Sequence, residues 1–318
     1  MLRRYGILAL AALSMLACQR SQKTVIGVVP KATSHVFWLA VHAGAAAAGK
    51  DLGVQIDWNG PPTETDFSRQ IQIVDSLVAR RVDGLAVAAA DRNALIGPVD
   101  RAMKAGIPVT VFDSGLDSEN YTTFVATNNY EGGQMAARKL AELIGKKGKV
   151  AVVLHAPGSG STMDRERGFH DAMAKEFPLI QIAAEQFGMS DRAKALAAAE
   201  NMLAANPDLN GMFASSEPSS VGAALAIKGR NLGGTIRFVA FDSSDVLAED
   251  LKTGIIDAIV VQDPFKIGYE AVRTVVDKIR GGNPPKRMDL SARVVTREDL
   301  AKPDVRKLLF PKLEENLP

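Results

Sequence analysis

The chain predicts an α/β protein built as two doubly wound lobes. Three observations carry that expectation. Short β-branched or apolar runs alternate with longer, alanine-rich amphipathic segments along most of the chain, a pattern that builds parallel sheets with helices on both faces. The strand–helix units are too many for one comfortable sheet, and 318 residues suffice for two cores. An acid also closes an apolar strand once in each half, in Val109-Thr110-Val111-Phe112-Asp113 and in Phe238-Val239-Ala240-Phe241-Asp242.

The elements follow in order. Residues 24–29 are β-branched with little polarity, as suits a strand covered on both faces. Residues 38–52 are rich in alanine and stop at Gly53, a helix with a glycine end. A strand is predicted over 54–58. Asp66 then offers an N-cap, with Phe67, Ile71, Val74 and Val78 at helical spacing. A strand over 84–89, a helix over 93–105 stopped by Gly106, and a strand over 108–112 complete the first half. The pattern repeats with strands over 123–126, 149–154, 180–186, 211–214, 236–241 and 255–261. The intervening helices are expected over 130–144, 163–177, 191–205, 219–228 and 244–252, and a last one over 265–280. The segment 288–318 gives no clear element, and its Leu308-Leu309-Phe310 either packs on the second lobe or stays loose.

In such lobes ligands sit beyond the carboxyl ends of the strands. The loop windows this rule selects are 31–38, 89–93, 113–116, 127–129, 156–165, 187–191, 215–218, 242–245 and 262–265. Aromatic residues are 6% of the chain, yet Phe37 and Trp38 stand together after the first strand. A ring face there can cover the C–H face of a sugar, unless one of the pair is core. Asp113 and Asp242 either cap a helix or accept hydrogen bonds from a ligand, and Ser243-Ser244-Asp245 offer another cap. Arg165 is expected at a helix start, where a cation opposes the dipole and is better explained by a polar ligand or an inter-loop ion pair. Gln262, at a strand end before Pro264, can both donate and accept.

Hydrophobic content of 47% and charged content of 23% are ordinary globular values, and a net charge of +2 asks for no nucleic-acid partner. The four histidines (His35, His42, His155 and His170) form no metal-ligand spacing, and Gly-x-Ser-x-Gly is missing. Gly158-Ser159-Gly160-Ser161 precedes a helix but lacks the Lys-Ser/Thr ending of a phosphate loop. Polar groups without an activated nucleophile or a metal predict binding rather than turnover, with no cofactor.

Ahead of the first strand, Arg3 and Arg4 precede an apolar run over 7–17 broken only by Ser14, and Ala17-Cys18 closes it. That arrangement predicts a secretory signal over 1–18. The run is shorter than the roughly 20 apolar residues a membrane-crossing helix needs. Cys18 is the only cysteine and follows Ser14-Met15-Leu16-Ala17, which resembles the lipobox of bacterial lipoproteins. The resemblance implies cleavage before Cys18 and lipid on its sulfur; the alternative is an ordinary signal cut elsewhere. Either way the expected location is outside the cytoplasm, periplasmic or anchored to a cell-envelope membrane by lipid alone, and the mature chain is expected to hold no disulfide.

Several segments together resemble the ribose-type periplasmic sugar-binding proteins, from about Thr24 to about Gly282. They are Ile107-Pro108-Val109 leading to Asp113, Asn128-Asn129-Tyr130-Glu131-Gly132-Gly133, Arg165-Glu166-Arg167-Gly168-Phe169, Val239-Ala240-Phe241-Asp242, and Val261-Gln262-Asp263-Pro264 with Ile267-Gly268. The resemblance implies two Rossmann-like lobes joined by three crossings, near Thr127, Gln262 and Arg293. An N-terminal lobe of 24–127 with 263–292 and a C-terminal lobe of 128–262 with 293–318 follow. It also implies that Phe37 and Trp38 stack on the ligand, that His35 touches it, and that Asp113, Arg165, Ser216, Asp242 and Gln262 hydrogen-bond it. Ser114 stands where ribose binders have arginine, Ala88 or Ala89 where asparagine is expected, and Ser190 where an aromatic is common. The implied ligand is therefore a sugar or polyol other than ribose, carried by a monomer to the permease of an ATP-driven importer. An autoinducer-2 or chemotaxis receptor uses the same lobes. A sugar-responsive repressor would need a helix-turn-helix in front, and an exported enzyme would have to alter its ligand.

Overall fold

The computed structural model describes residues 23–310. The predicted signal and Cys18 lie outside the described residues. Among the described residues, the strands form two six-stranded sheets. The first holds β1 (Val25–Val29), β2 (Gln55–Trp58), β3 (Gly84–Val87), β4 (Val109–Phe112), β5 (Thr123–Thr127) and β11 (Arg287–Leu290), in the order β11-β5-β4-β3-β1-β2. The second holds β6 (Gly148–Leu154), β7 (Ile180–Phe187), β8 (Gly211–Ala214), β9 (Arg237–Phe241), β10 (Ala258–Val261) and β12 (Arg293–Thr296), in the order β12-β10-β9-β8-β6-β7. The two orders are the same pattern. All pairings are parallel except β12 on β10.

Among the described residues, ten α-helices cover the sheets: α1 (Val36–Leu52), α2 (Phe67–Ala79), α3 (Ile96–Lys104), α4 (Asn129–Leu143), α5 (Gly160–Glu176), α6 (Arg192–Ala205), α7 (Glu217–Gly229), α8 (Asp245–Thr253), α9 (Pro264–Ile279) and α10 (Pro303–Leu309). Their ends follow local chemistry. Asp66 accepts a hydrogen bond from the Arg69 amide at 3.0 Å, as expected of an N-cap. Gly53 takes φ 68 and donates its amide back into α1, which only glycine does at little cost. The chain passes between the sheets after β5, after β10, and between β11 and β12. Among the described residues, no helix is long and apolar enough to cross a membrane.

Each lobe carries one helix pair locked by glycines. In α1 and α9, a Cβ on Gly44 would collide with the Phe265 carbonyl, and one on Gly268 with the Val41 carbonyl. In α4 and α5, a Cβ on Gly133 would collide with the Arg165 carbonyl, and one on Gly168 with the Tyr130 carbonyl. The bare glycines let backbone meet backbone, and this gives a physical reason for Gly133, Gly168 and Gly268 in those segments. The segment after 288 was not assigned from sequence. It forms two edge strands and α10, whose Val305 and Leu309 are buried in the second lobe's core.

Candidate functional site

All eight residues selected from the sequence for ligand contact border one cleft between the sheets, some 340 Å³ counted out to its open mouth. The first wall begins with Gln70. Its buried amide donates to the Pro30 and Ala88 carbonyls at 2.8 and 2.7 Å, and its Oε1 accepts from Ala90 N at 2.9 Å. Fully satisfied, this amide ties the loops after β1 and β3 together, and so fixes Lys31.

Lys31 is 4% exposed. Its Nζ lies 3.3 Å from Glu64 Oε2 and 3.7 Å from Asp113 Oδ2, donates to Ser159 Oγ at 3.1 Å, and sits 5.7 Å from the Trp38 ring centroid. Glu64 also accepts from Trp38 Nε1 at 2.8 Å and pairs with His155 Nε2 at 2.9 Å. Burial pushes the Glu64 carboxyl up, but Lys31 and His155 together hold it well below the usual carboxylate range. Because Glu64 is ionised, His155 Nε2 carries the proton that bonds it. The other ring nitrogen of His155 lies 2.9 Å from Ser216 Oγ.

Trp38 is core and cleft wall at once. It is buried, packs edge-on to Phe112 at 6.4 Å, and is met edge-on by Phe37 at 5.0 Å. Phe37 is half-buried and its ring borders the cleft mouth. His35 precedes α1 without capping it and reaches Ser190 Oγ at 3.4 Å.

Asp113 and Asp242 end β4 and β9 with φ of 56° and 67°, a conformation aspartate tolerates better than most residues. Neither caps the helix that follows it in sequence: Ser244 caps α8, accepting from Leu247 N at 3.4 Å. Asp242 instead accepts from Gln262 Nε2 at 2.6 Å and from the Glu217 amide at the start of α7 at 3.0 Å. Asp113 Oδ2 is buried without a hydrogen-bond partner, and burial pushes its carboxyl up to about 6 despite Lys31 and Arg165 nearby.

Arg165 requires a correction. The helix begins at Gly160, three residues before the predicted start, so Arg165 sits in the second turn of α5 and the dipole argument does not apply to it. Its burial has other causes. The guanidinium donates to the Ser215 carbonyl and to Asn129 Oδ1, lies 3.9 Å from Asp242 Oδ2, and stacks 3.4 Å from the Phe241 centroid. Its Nε has no partner, and neither does Gln262 Oε1 or Glu217 Oε2.

Lys31, Glu64, His155 and Glu217 line the same cleft and were not selected from the sequence. Lys31 and Glu217 lie inside the loop windows, Glu217 directly after the expected contact Ser216, and His155 stands one residue outside. Glu64 lay in Pro62-Thr63-Glu64-Thr65, which carried no signal.

Paired doubly wound lobes with a polar cleft at their facing strand ends define a two-lobed ligand-binding protein. The periplasmic binding protein domain family matches residues 26–283, and the chain belongs to that family. It is 30% identical over 263 residues to the D-allose-binding periplasmic protein of Escherichia coli, covering 80% of this chain and 84% of that one. It is 28% identical over 273 residues to the ribose import binding protein of Bacillus subtilis, covering 86% and 87%. Among solved structures, a carbohydrate transporter solute-binding protein from Agrobacterium radiobacter in complex with D-arabinose superposes with a TM-score of 0.88 at 32% identity, covering 90% of this chain and 99% of that one.

Proposed function

We propose that the chain is an extracytoplasmic solute-binding protein that captures a monosaccharide or polyol between its lobes and delivers it, unaltered, to an ATP-driven importer. The observation that carries this reading is the pairing of two strand-end aspartates, one from each sheet, across a cleft also bordered by Arg165, Gln262 and the Phe37–Trp38 edge. The names of the relatives and of the solved structure point the same way.

Phe37 covers the apolar face of the ring, and Trp38 backs it. Asp113, Arg165, Ser216, Asp242, Gln262 and His35 bond its hydroxyls, the ionised partners most strongly. Contacts from both walls are made only when the lobes are together, so ligand shifts the equilibrium towards the closed form that a permease reads. In the same reading the lobes divide at 127/128, 262/263 and 292/293, the protein acts as a monomer without a cofactor, and Cys18 carries the lipid that keeps it at the membrane.

Calorimetry of the mature chain against a sugar and polyol panel tests the assignment. At least one member is expected to bind, and Arg165→Ala and Asp242→Ala each to weaken it by 100-fold or more (about 2.7 kcal/mol). A panel without a binder, or retained binding in both variants, rejects the reading.

A further inference from the structure

The cleft gathers more carboxyl groups than cations to pair with them. Five carboxyl groups face it or stand directly behind it: half-buried Glu64 and buried Asp113, Glu166, Glu217 and Asp242. Glu166 is the one behind, accepting from His155 N at 2.9 Å and from Ser215 Oγ at 2.7 Å. The cations within reach are Lys31, Arg165 and Arg192, and Arg192 is spent on one oxygen of Glu217 from the half-exposed side. His155 donates its Nε2–H to Glu64 in a hydrogen bond, and His35 lies half-buried against Ser190. Buried carboxyl groups short of cationic partners are costly to ionise.

The unpartnered atoms point the same way. Three buried acceptors have no donor, Asp113 Oδ2 from the first wall, Glu217 Oε2 from the second, and Gln262 Oε1 from the hinge. Against them, among the residues lining the cleft, stands one unpartnered buried donor, Arg165 Nε; the unpartnered hydroxyls of Thr123 and Thr127 lie outside the lining. Two of the three orphaned acceptors belong to carboxylates, and burial raises the proton affinity of both. A metal ion does not fit the need, because among the described residues no three acidic or histidine groups converge to hold one. A group with several N–H donors and a positive charge meets both requirements together, whereas a hydroxyl meets only the first.

We infer that the cleft takes a sugar or polyol carrying a protonated amine, the ammonium seated among Asp113, Glu217 and Gln262. This rests on the sugar-binding reading above and narrows it. The same charge balance turns away uronic and aldonic acids and sugar phosphates.

The experiment is calorimetry at pH 7 with matched sets: 1-, 2- and 3-amino deoxy sugars and aminopolyols, each beside its hydroxyl parent and its N-acetyl derivative. At least one amine is expected to bind tenfold or more tighter than its own parent and its own N-acetyl form. Asp113→Asn and Glu217→Gln are each expected to cut that ratio to threefold or less, with thermal melts confirming that the variants fold. Parents that bind as tightly as their amines overturn this inference and leave the sugar reading standing. A panel in which neither parents nor amines bind overturns both. A ratio unchanged in both variants overturns the seat assigned to the amine.

Discussion

Asp113 and Asp242 occupy the same place in two copies of one plan, yet they face different circumstances. Each follows the third strand in its sheet's order, β4 in one and β9 in the other, with nearly the same backbone conformation. Asp242 has both oxygens engaged by the protein itself, one by Gln262 and one by the first amide of α7. Asp113 keeps one buried oxygen without a donor, and its carboxyl holds its proton up to about pH 6. The repeat supplies the position, and the neighbours set the circumstances: one aspartate is already braced by its own wall, the other keeps a buried oxygen open to a guest.

The comparison is most severely tested where the two lobes are most alike. Gly133→Ala and Gly268→Ala each force a Cβ into a facing carbonyl, so the helices must part. Each is expected to cost about 3 kcal/mol in a denaturant titration, beyond what alanine's better helix propensity returns. A cost below about 1 kcal/mol in either would show that one lobe's lock is slack and the likeness superficial.

The aspartates give the next largest effect. Asp113's folded carboxyl is raised from 3.8 to about 6, so the folded state binds the proton more tightly than the unfolded one. The stability this provides is complete below about pH 4 and is lost as the pH rises through about 6. Asp113→Asn removes the dependence. Relative to wild type, the variant is expected to gain roughly 3 kcal/mol between pH 4 and pH 7, read from urea midpoints at each pH. A flat difference would place Asp113 in the same satisfied state as Asp242.

The smallest effect is the converse. Asp242→Asn replaces one of two acceptor oxygens with an amide, leaving either Gln262 Nε2 or the Glu217 amide unpaired. A loss of about 1–2 kcal/mol is expected at every pH between 6 and 8. An equal loss in Asp113→Asn at pH 7 would erase the distinction between the two.

The local parts of this architecture were legible in the sequence and the distant ones were not. Gly53, Asp66 and the β-branched runs carry their signals within a few residues, so the strands and helices from β1 to α9 could be placed with shifts at their ends. The strand Arg287–Leu290 reads as polar alternation and becomes a strand because β5 offers it an edge, and Arg293–Thr296 depends on β10 in the same way. Within the cleft, Asp113 and Asp242 announce themselves because an acid closing an apolar strand is locally odd. Lys31, Glu64 and His155 do not. Each is an ordinary residue in its own neighbourhood, and their association spans 91 residues between Glu64 and His155.

The two walls also grip each other without an intermediary. The Arg92 amide donates to the Gly158 carbonyl at 2.9 Å, the Ser161 amide to Ser114 Oγ at 3.2 Å, Lys31 to Ser159, and His155 to Glu64. Such bonds lend the shut form some standing of its own, so a visiting molecule needs to contribute less to complete it. A binding protein wired this way trades a sharp on–off response for sensitivity to dilute ligand: a fraction of its population would stand shut while empty, as background that a looser rim would silence.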